Sequence, residues 1–123
     1  MVILDANIIL RYLLNDSAEM AQKAEQYLHQ AEAAIITTEV IAEVVYVLKG
    51  VYHLPRNEIA DTLGDFLQLV QCRDRAVLRI ALKTYGRENL DFVDCVLYAY
   101  HKAEKMDIAT FDKKLLRLLR ESD

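Results

Sequence analysis

Four acidic residues lie where an α/β fold builds a ligand site, just beyond predicted strands or near the start of the helices that follow them. Asp5 directly follows a short apolar run, and Asp112 follows the last predicted strand. Asp94 opens a late helix, and Glu43 is the only charged residue of the apolar segment 40–48. The acids are far apart in sequence, but this shared position predicts that they converge.

A cluster of four carboxylates without counter-charge is costly. Two charges about 5 Å apart repel by roughly 3 kcal/mol at an effective dielectric constant of 20. A cation relieves that repulsion, and a ligand set made of oxygen atoms alone favours Mg²⁺ or Mn²⁺. Because such ions activate water and stabilise displacement at phosphorus, the cluster indicates a metal-dependent enzyme that hydrolyses phosphodiesters.

Each of these acids also has a purely structural explanation. Asp91 and Asp94 are spaced like a helix N-cap and its capping-box partner, so we assign Asp91 as the cap and Asp94 as the ligand. A role as an N-cap explains Asp112 as well as a metal-ligand role does. Asp5 also fits the start of a turn, and Glu43 also fits a solvent-facing position on its helix. The joint pattern therefore carries more weight than any single member.

The charge balance alone argues against a nucleic-acid binder. The formal net charge is −4, whereas phosphate contacts are usually made by a basic surface. However, cations crowd the last quarter of the chain, and an acidic centre filled by a metal ion no longer repels phosphate. These cations are Lys102, Lys105, Lys113, Lys114, Arg117 and Arg120.

Length and composition favour one compact domain over residues 1–123, since 54% of the residues are hydrophobic and domains commonly hold about 100–150 residues. Cys72 and Cys95 form no metal-ligand spacing, so we expect reduced, mostly buried thiols in a cytoplasmic protein. No apolar stretch approaches the roughly 20 residues of a membrane span. There is no HExxH pair, P-loop or GxGxxG motif.

Short apolar runs predict three strands, and periodic apolar faces predict the helices between them. Asp16 or Ser17 is expected to cap the second helix, and Thr38 the third. Strands that alternate with helices in this way call for a parallel sheet covered on both faces. The strands are predicted at 2–4, 34–37 and 107–110, and the helices at 8–14, after Ser17 through Ala31, from Thr38 to Gly50, at 56–69, 73–85 and 93–105, and after Asp112.

Four short segments together resemble the motifs of PIN-domain proteins, in the order in which that family carries them. They are ILDANIILR (3–11), EVIAEVVYVL (39–48), DFVDCVLY (91–98) and ATFDKK (109–114). The resemblance runs from one end of the chain to the other. It implies a three-layer α/β/α sandwich with a short, mostly parallel central sheet.

The resemblance also implies a Mg²⁺- or Mn²⁺-dependent endoribonuclease, commonly the VapC-type toxin of a toxin–antitoxin pair. Such a protein is expected to form a homodimer and to be silenced by an antitoxin protein. Matched by position, the family's acids correspond to the four residues named above. Asn7 and Thr110 match the polar residues that orient carboxylates and water, with Asp91 beside them. Arg11, Lys113 and Lys114 are candidates for RNA contact.

Other functions remain open alternatives. A Mg²⁺-dependent phosphatase of the haloacid-dehalogenase type needs a second aspartate two residues after the first, where Asn7 stands. A response-regulator receiver needs a lysine just beyond its last strand, where this chain has the segment 110–112. A PIN-like module could bind RNA or a protein without cutting, although it would have no reason to keep four mutually repelling acids.

Overall fold

A short parallel sheet lies at the centre of the structure, a computed structural model that describes residues 2–15, 17–29 and 34–121. Its strands are β1 (Val2–Ile3), β2 (Ala34–Ile36) and β3 (Gln71–Cys72), in the order β1-β2-β3. Both pairs are parallel, with Ile3 opposite Ile35 and Ile36 opposite Cys72. Parallel pairing places the carboxyl ends of all three strands at one edge of the sheet.

The edge strand β1 is not covered on both faces as predicted, since Val2 and Ile3 are 38% and 61% exposed. Helices connect the three short strands within the described residues. An amphipathic pattern accounts for most of them, because each buries one apolar face and exposes its charged residues. None is long and apolar enough to cross a membrane in the part of the chain that the structure describes. The helices are α1 (Ala6–Leu14), α2 (Ala18–His29), α3 (Thr38–Gly50), α4 (Arg56–Leu67), α5 (Arg75–Arg87), α6 (Phe92–Glu104) and α7 (Lys113–Glu121).

One apolar core joins the sheet to the helices. Helix α5 packs most extensively, against α4 on one side and α6 on the other, while α1 packs against α2 and α3. Residues from every part of the chain contribute side chains with no exposed surface. They include Ile9, Ile36, Ile41, Leu63, Leu78, Ala99 and Leu115.

The predicted α/β class with a short parallel sheet is confirmed, but the strand predicted at 107–110 is wrong. Residues 105–112 form neither helix nor strand. Of the four residues in the predicted strand, only Ile108 packs against the core, whereas Asp107 and Ala109 are exposed. One apolar contact is too little to hold a strand that also contains Asp107 and Ala109, two residues of low strand propensity.

The third strand lies elsewhere, at Gln71–Cys72, where the sequence predicted only a turn between two helices. The cap of α3 is Thr37 and not Thr38, since the Thr37 hydroxyl accepts a hydrogen bond from the Val40 N–H at 3.4 Å. Ser17 accepts from the Met20 N–H at 3.5 Å, as its predicted capping role requires. The alternative cap Asp16 and the predicted end of α2 at Ala31 lie outside the described residues.

Candidate active site

Three acids converge in an open cleft of about 460 Å³ at the N-terminal ends of α6 and α7. The N-terminal end of a helix carries a partial positive charge, which favours negative charge nearby. The cleft combines carboxylates with cations and one apolar side chain. Its lining residues are Arg56, Asn89, Leu90, Asp91, Asp94, Asp112, Lys113 and Lys114.

Asp94 is the half-buried acid of this cleft. It lies in the first turn of α6, directly before the fully buried Cys95, which fixes this side of the helix against the core. Burial raises the pKa of the Asp94 carboxyl, and the neighbouring charges of Asp112 and Asp91 raise it further. These surroundings destabilise the ionised form of Asp94, and a proton or a bound cation relieves that destabilisation.

Asp91 occupies the N-cap position of α6, as predicted, but its side chain makes no capping hydrogen bond. The helix start is held by backbone instead, since the Asp91 carbonyl accepts from the Cys95 N–H at 2.9 Å. The prediction that this side chain serves as the cap is therefore wrong. Its carboxylate lines the cleft beside Asp94.

Asp112 both caps a helix and lines the cleft. Its Oδ1 atom accepts from the Leu115 N–H at 2.8 Å, which starts α7. Its own N–H donates to the hydroxyl of Thr110 at 3.0 Å. Capping uses one carboxylate oxygen, so the second remains available to the cleft, where the charge of Asp112 raises the pKa of Asp94.

Asp5 and Glu43 are not among the residues that line this cleft. Asp5 follows β1 and caps α1, with its Oδ1 atom accepting from the Ala6 N–H at 2.8 Å. Asn7, in the first turn of α1, and Glu43, on α3, are both exposed. No group of three or more His, Cys, Asp or Glu side chains that could hold a metal ion occurs among the described residues.

Of the three cations predicted to contact RNA, two line the cleft and one does not. Lys113 and Lys114 line the cleft, and the Lys114 ammonium donates to the Asn89 carbonyl at 3.3 Å. Arg11 lies half-buried on α1 and does not line the cleft. The cleft therefore combines three acids with the two lysines at the start of α7.

Sequence reasoning missed Arg56, which lines the cleft at the start of α4. Its Nε atom donates to the Tyr85 carbonyl at 2.9 Å, and its Nη2 atom donates to the Leu90 carbonyl. Its guanidinium also lies over the Tyr85 ring, 3.8 Å from the ring centre. One signal could have identified it, because a cation in the first turn opposes the helix dipole and therefore needs another role there.

A short parallel sheet, with a cleft at the starts of two helices that three acids and three cations line, defines an α/β protein with a charged candidate site. The family model described as the PIN domain matches residues 2–120, so the chain belongs to the PIN domain family. It is similar to the VapC ribonuclease of Aquifex aeolicus (strain VF5). The two are 27% identical over 127 residues, which cover 96% of this chain and 92% of that protein. No solved structure matches the chain.

Proposed function

We propose that this protein is a divalent-metal-dependent endoribonuclease of the VapC type. The observation that carries the proposal is the convergence of Asp91, Asp94 and Asp112 beside Lys113 and Lys114 in a chain of the PIN family. The similarity to a VapC ribonuclease supports RNA as the substrate. It also supports a role as the toxin of a toxin–antitoxin pair.

The cleft has the donor chemistry that Mg²⁺ or Mn²⁺ requires. Mg²⁺ commonly binds through one or two carboxylates and takes its other ligands from water and substrate phosphate, so a closed cage of acids is unnecessary. Asp94 would hold the ion with Asp91 or with the second oxygen of Asp112. Asp5 and Glu43 are further proposed ligands, from their match to the family motifs. The bound ion would polarise the scissile phosphate and activate water.

The remaining residues of the cleft would bind and orient the substrate. Lys113 and Lys114 supply positive charge for RNA phosphates next to the acids. Thr110 fixes the backbone of Asp112 by its hydrogen bond, and Arg56 fixes the loop that leads to Asp91. Asn7 and Arg11 are proposed to act from α1, as an orienting residue and an RNA contact.

RNA cleavage by the purified protein tests this proposal. We expect cleavage with Mg²⁺ or Mn²⁺ and none with EDTA, and we expect Asp94→Asn and Asp5→Asn each to reduce the rate by about 100-fold or more. Asp61→Asn, an exposed acid on α4 that does not line the cleft, is the matched control and should leave the rate unchanged. Unchanged cleavage by the Asp94 and Asp5 variants would refute the assignment.

One observation favours a second candidate function. Lys113 and Lys114 are exposed and line the cleft, so the same surface would also suit a PIN-like module that binds RNA without cutting it. Such a module would retain RNA in a binding assay while giving no metal-dependent cleavage. The cleavage assay therefore separates the two functions.

The VapC assignment brings three further proposals with it. The protein would act in the cytoplasm, would form a homodimer, and would be inhibited by an antitoxin protein that blocks the cleft. If a small gene lies next to this one, co-expression with its product tests the last of these. We expect a stable complex in which RNA cleavage is lost, and free, active protein would contradict the pairing.

A further inference from the structure

Phe111 is the most exposed large hydrophobic residue that the structure describes, with a relative exposure of 101%. Tyr46, the next, is 78% exposed. An aromatic ring held fully in water gains nothing from the hydrophobic effect, and it contributes nothing to the core. Its position in the chain matters, because it directly precedes Asp112, Lys113 and Lys114, all of which line the acidic cleft.

The backbone that carries this ring is fixed on both sides. The hydrogen bond from the Asp112 N–H to the Thr110 hydroxyl at 3.0 Å spans Phe111. The carboxylate of Asp112 then caps α7 by accepting from the Leu115 N–H. The backbone carbonyl of Asp112 accepts from the Leu116 N–H at 2.9 Å. The ring is therefore carried by an ordered turn directly before the cleft-lining Asp112, which lowers the entropy lost when a ligand binds it.

The surroundings of the ring favour a nucleobase as its partner. The centre of a protein interface is depleted in charge, whereas Phe111 is followed by one acid and two lysines. An exposed ring next in sequence to exposed cations is the arrangement that proteins use for single-stranded nucleic acids, with bases stacked on aromatic side chains and phosphates on cations. Bases in a duplex are already stacked and paired, so this arrangement favours an unpaired strand.

We propose that Phe111 stacks on an unpaired base of single-stranded RNA whose neighbouring phosphates contact Lys113 and Lys114. This inference rests on the proposed ribonuclease function and adds a substrate-positioning residue to it. Phe111 then positions the strand across the cleft, and it selects unpaired over paired RNA. It takes no part in the chemistry at phosphorus.

Steady-state cleavage of a single-stranded oligoribonucleotide in Mg²⁺ tests the stacking contact. Phe111→Ala should raise KM by about 5- to 150-fold, which corresponds to the 1–3 kcal/mol of one base stacked on an aromatic ring. Phe111→Trp should retain a low KM, and Phe111→Leu, which keeps apolar surface without a π face, should behave like the alanine variant. Leu69→Ala removes an apolar side chain that is 62% exposed and lies outside the cleft, and it should change nothing.

Oligonucleotides that lack one base at a time identify the stacked position. With the wild-type protein, one abasic position near the cut should raise KM as much as Phe111→Ala does, and the two changes together should add nothing further. Cleavage of the same sequence in a duplex should be weak and insensitive to Phe111.

The possible outcomes separate this inference from the function on which it rests. If the wild-type protein neither cleaves nor binds RNA, the proposed function is overturned, and the stacking proposal with it. If it cleaves RNA and Phe111→Ala leaves KM unchanged, the stacking proposal alone is overturned. The same holds if Phe111→Leu matches the wild type, or if Phe111→Ala instead alters self-association, which would assign the ring to a protein contact.

Discussion

The pair of helices α4 and α5 and the acidic cleft adjoin each other but are built in opposite ways. Between the helices, Ile59, Leu63 and Leu78 are completely buried, and the backbones approach closely at Gly86. In the cleft, three carboxylates lie together, and the pKa of Asp94 is raised by burial and by its neighbours. The difference teaches that packing of the helices stabilises the fold, while the cleft retains a repulsion that a proton or a bound cation relieves.

Arg56 joins the two regions, so replacing it should have the largest effect on stability. Its guanidinium bonds two backbone carbonyls and stacks on Tyr85. Arg56→Ala removes the guanidinium donor from those partly buried carbonyls and should lower the free energy of unfolding by about 2–4 kcal/mol, measured by urea denaturation.

Two variants serve as controls for this loss. Arg56→Lys keeps the charge but cannot reproduce the fork of donors, so it should recover only part of the stability. Arg79→Ala removes an exposed arginine from α5 and should change the free energy of unfolding by less than about 0.5 kcal/mol. Equal losses from Arg56→Ala and Arg79→Ala would mean that Arg56 does not link the regions.

The close approach of α4 and α5 can be tested with a matched pair of glycine substitutions. A Cβ atom at Gly86 would lie 2.8 Å from the Cβ atom of Ala60, whereas one at Gly64 would meet nothing within 4 Å. Gly86→Ala should therefore destabilise the protein by about 1–3 kcal/mol through overpacking. Gly64→Ala, inside α4, should stabilise it by roughly 0.5–1 kcal/mol. Urea denaturation measures both changes in the free energy of unfolding, and two changes of the same sign would contradict the described packing.

The repulsion among the acids of the cleft predicts a smaller change in stability. Removing one of these charges should stabilise the protein and not destabilise it. The pKa of Asp94 is raised above its ordinary value of 3.8, so the folded protein binds this proton more tightly than the unfolded chain does. Stability therefore falls as pH rises from the ordinary carboxyl pKa through the raised one. Without metal, Asp94→Asn should raise Tm at pH 7 on the order of 2–4 °C, and by nothing at a pH below the ordinary value.

Thermal melts in EDTA across pH 3–7 measure this effect. A clear fall in Tm for Asp94→Asn at pH 7 would identify Asp94 as a structural residue of the helix start. The control is Asp61→Asn on α4, which should show no comparable gain.

Sequence periodicity predicted the helices well because each buries many apolar residues in a regular pattern. The strands are too short for such a signal. Gln71–Cys72 has two residues, so no alternation exists to detect. The segment 107–110 looked like a strand from its composition, yet only Ile108 meets the core. Strand positions in this fold depend on contacts between distant segments, which local sequence does not encode.

The sequence likewise predicted only part of the residues that line the cleft. Position after strands and at helix starts identified Asp94 and Asp112, which line the cleft, and also Asp5 and Glu43, which do not. Spacing alone could not show that the Asp91 side chain makes no capping hydrogen bond. Nor could it identify Arg56, since that contact joins residues 34 apart in sequence. The metal-ligand roles of all these acids stay predictions.

The central claim, that the acids of the cleft hold a divalent ion, is tested most directly by the change in Tm on adding Mg²⁺. We predict that Mg²⁺ raises the Tm of the wild-type protein and of the Asp61→Asn control, because an ion that binds only the folded state stabilises it. Asp94→Asn should lose most of that rise. An equal rise in wild type and Asp94→Asn, or none in the wild type, would contradict the account.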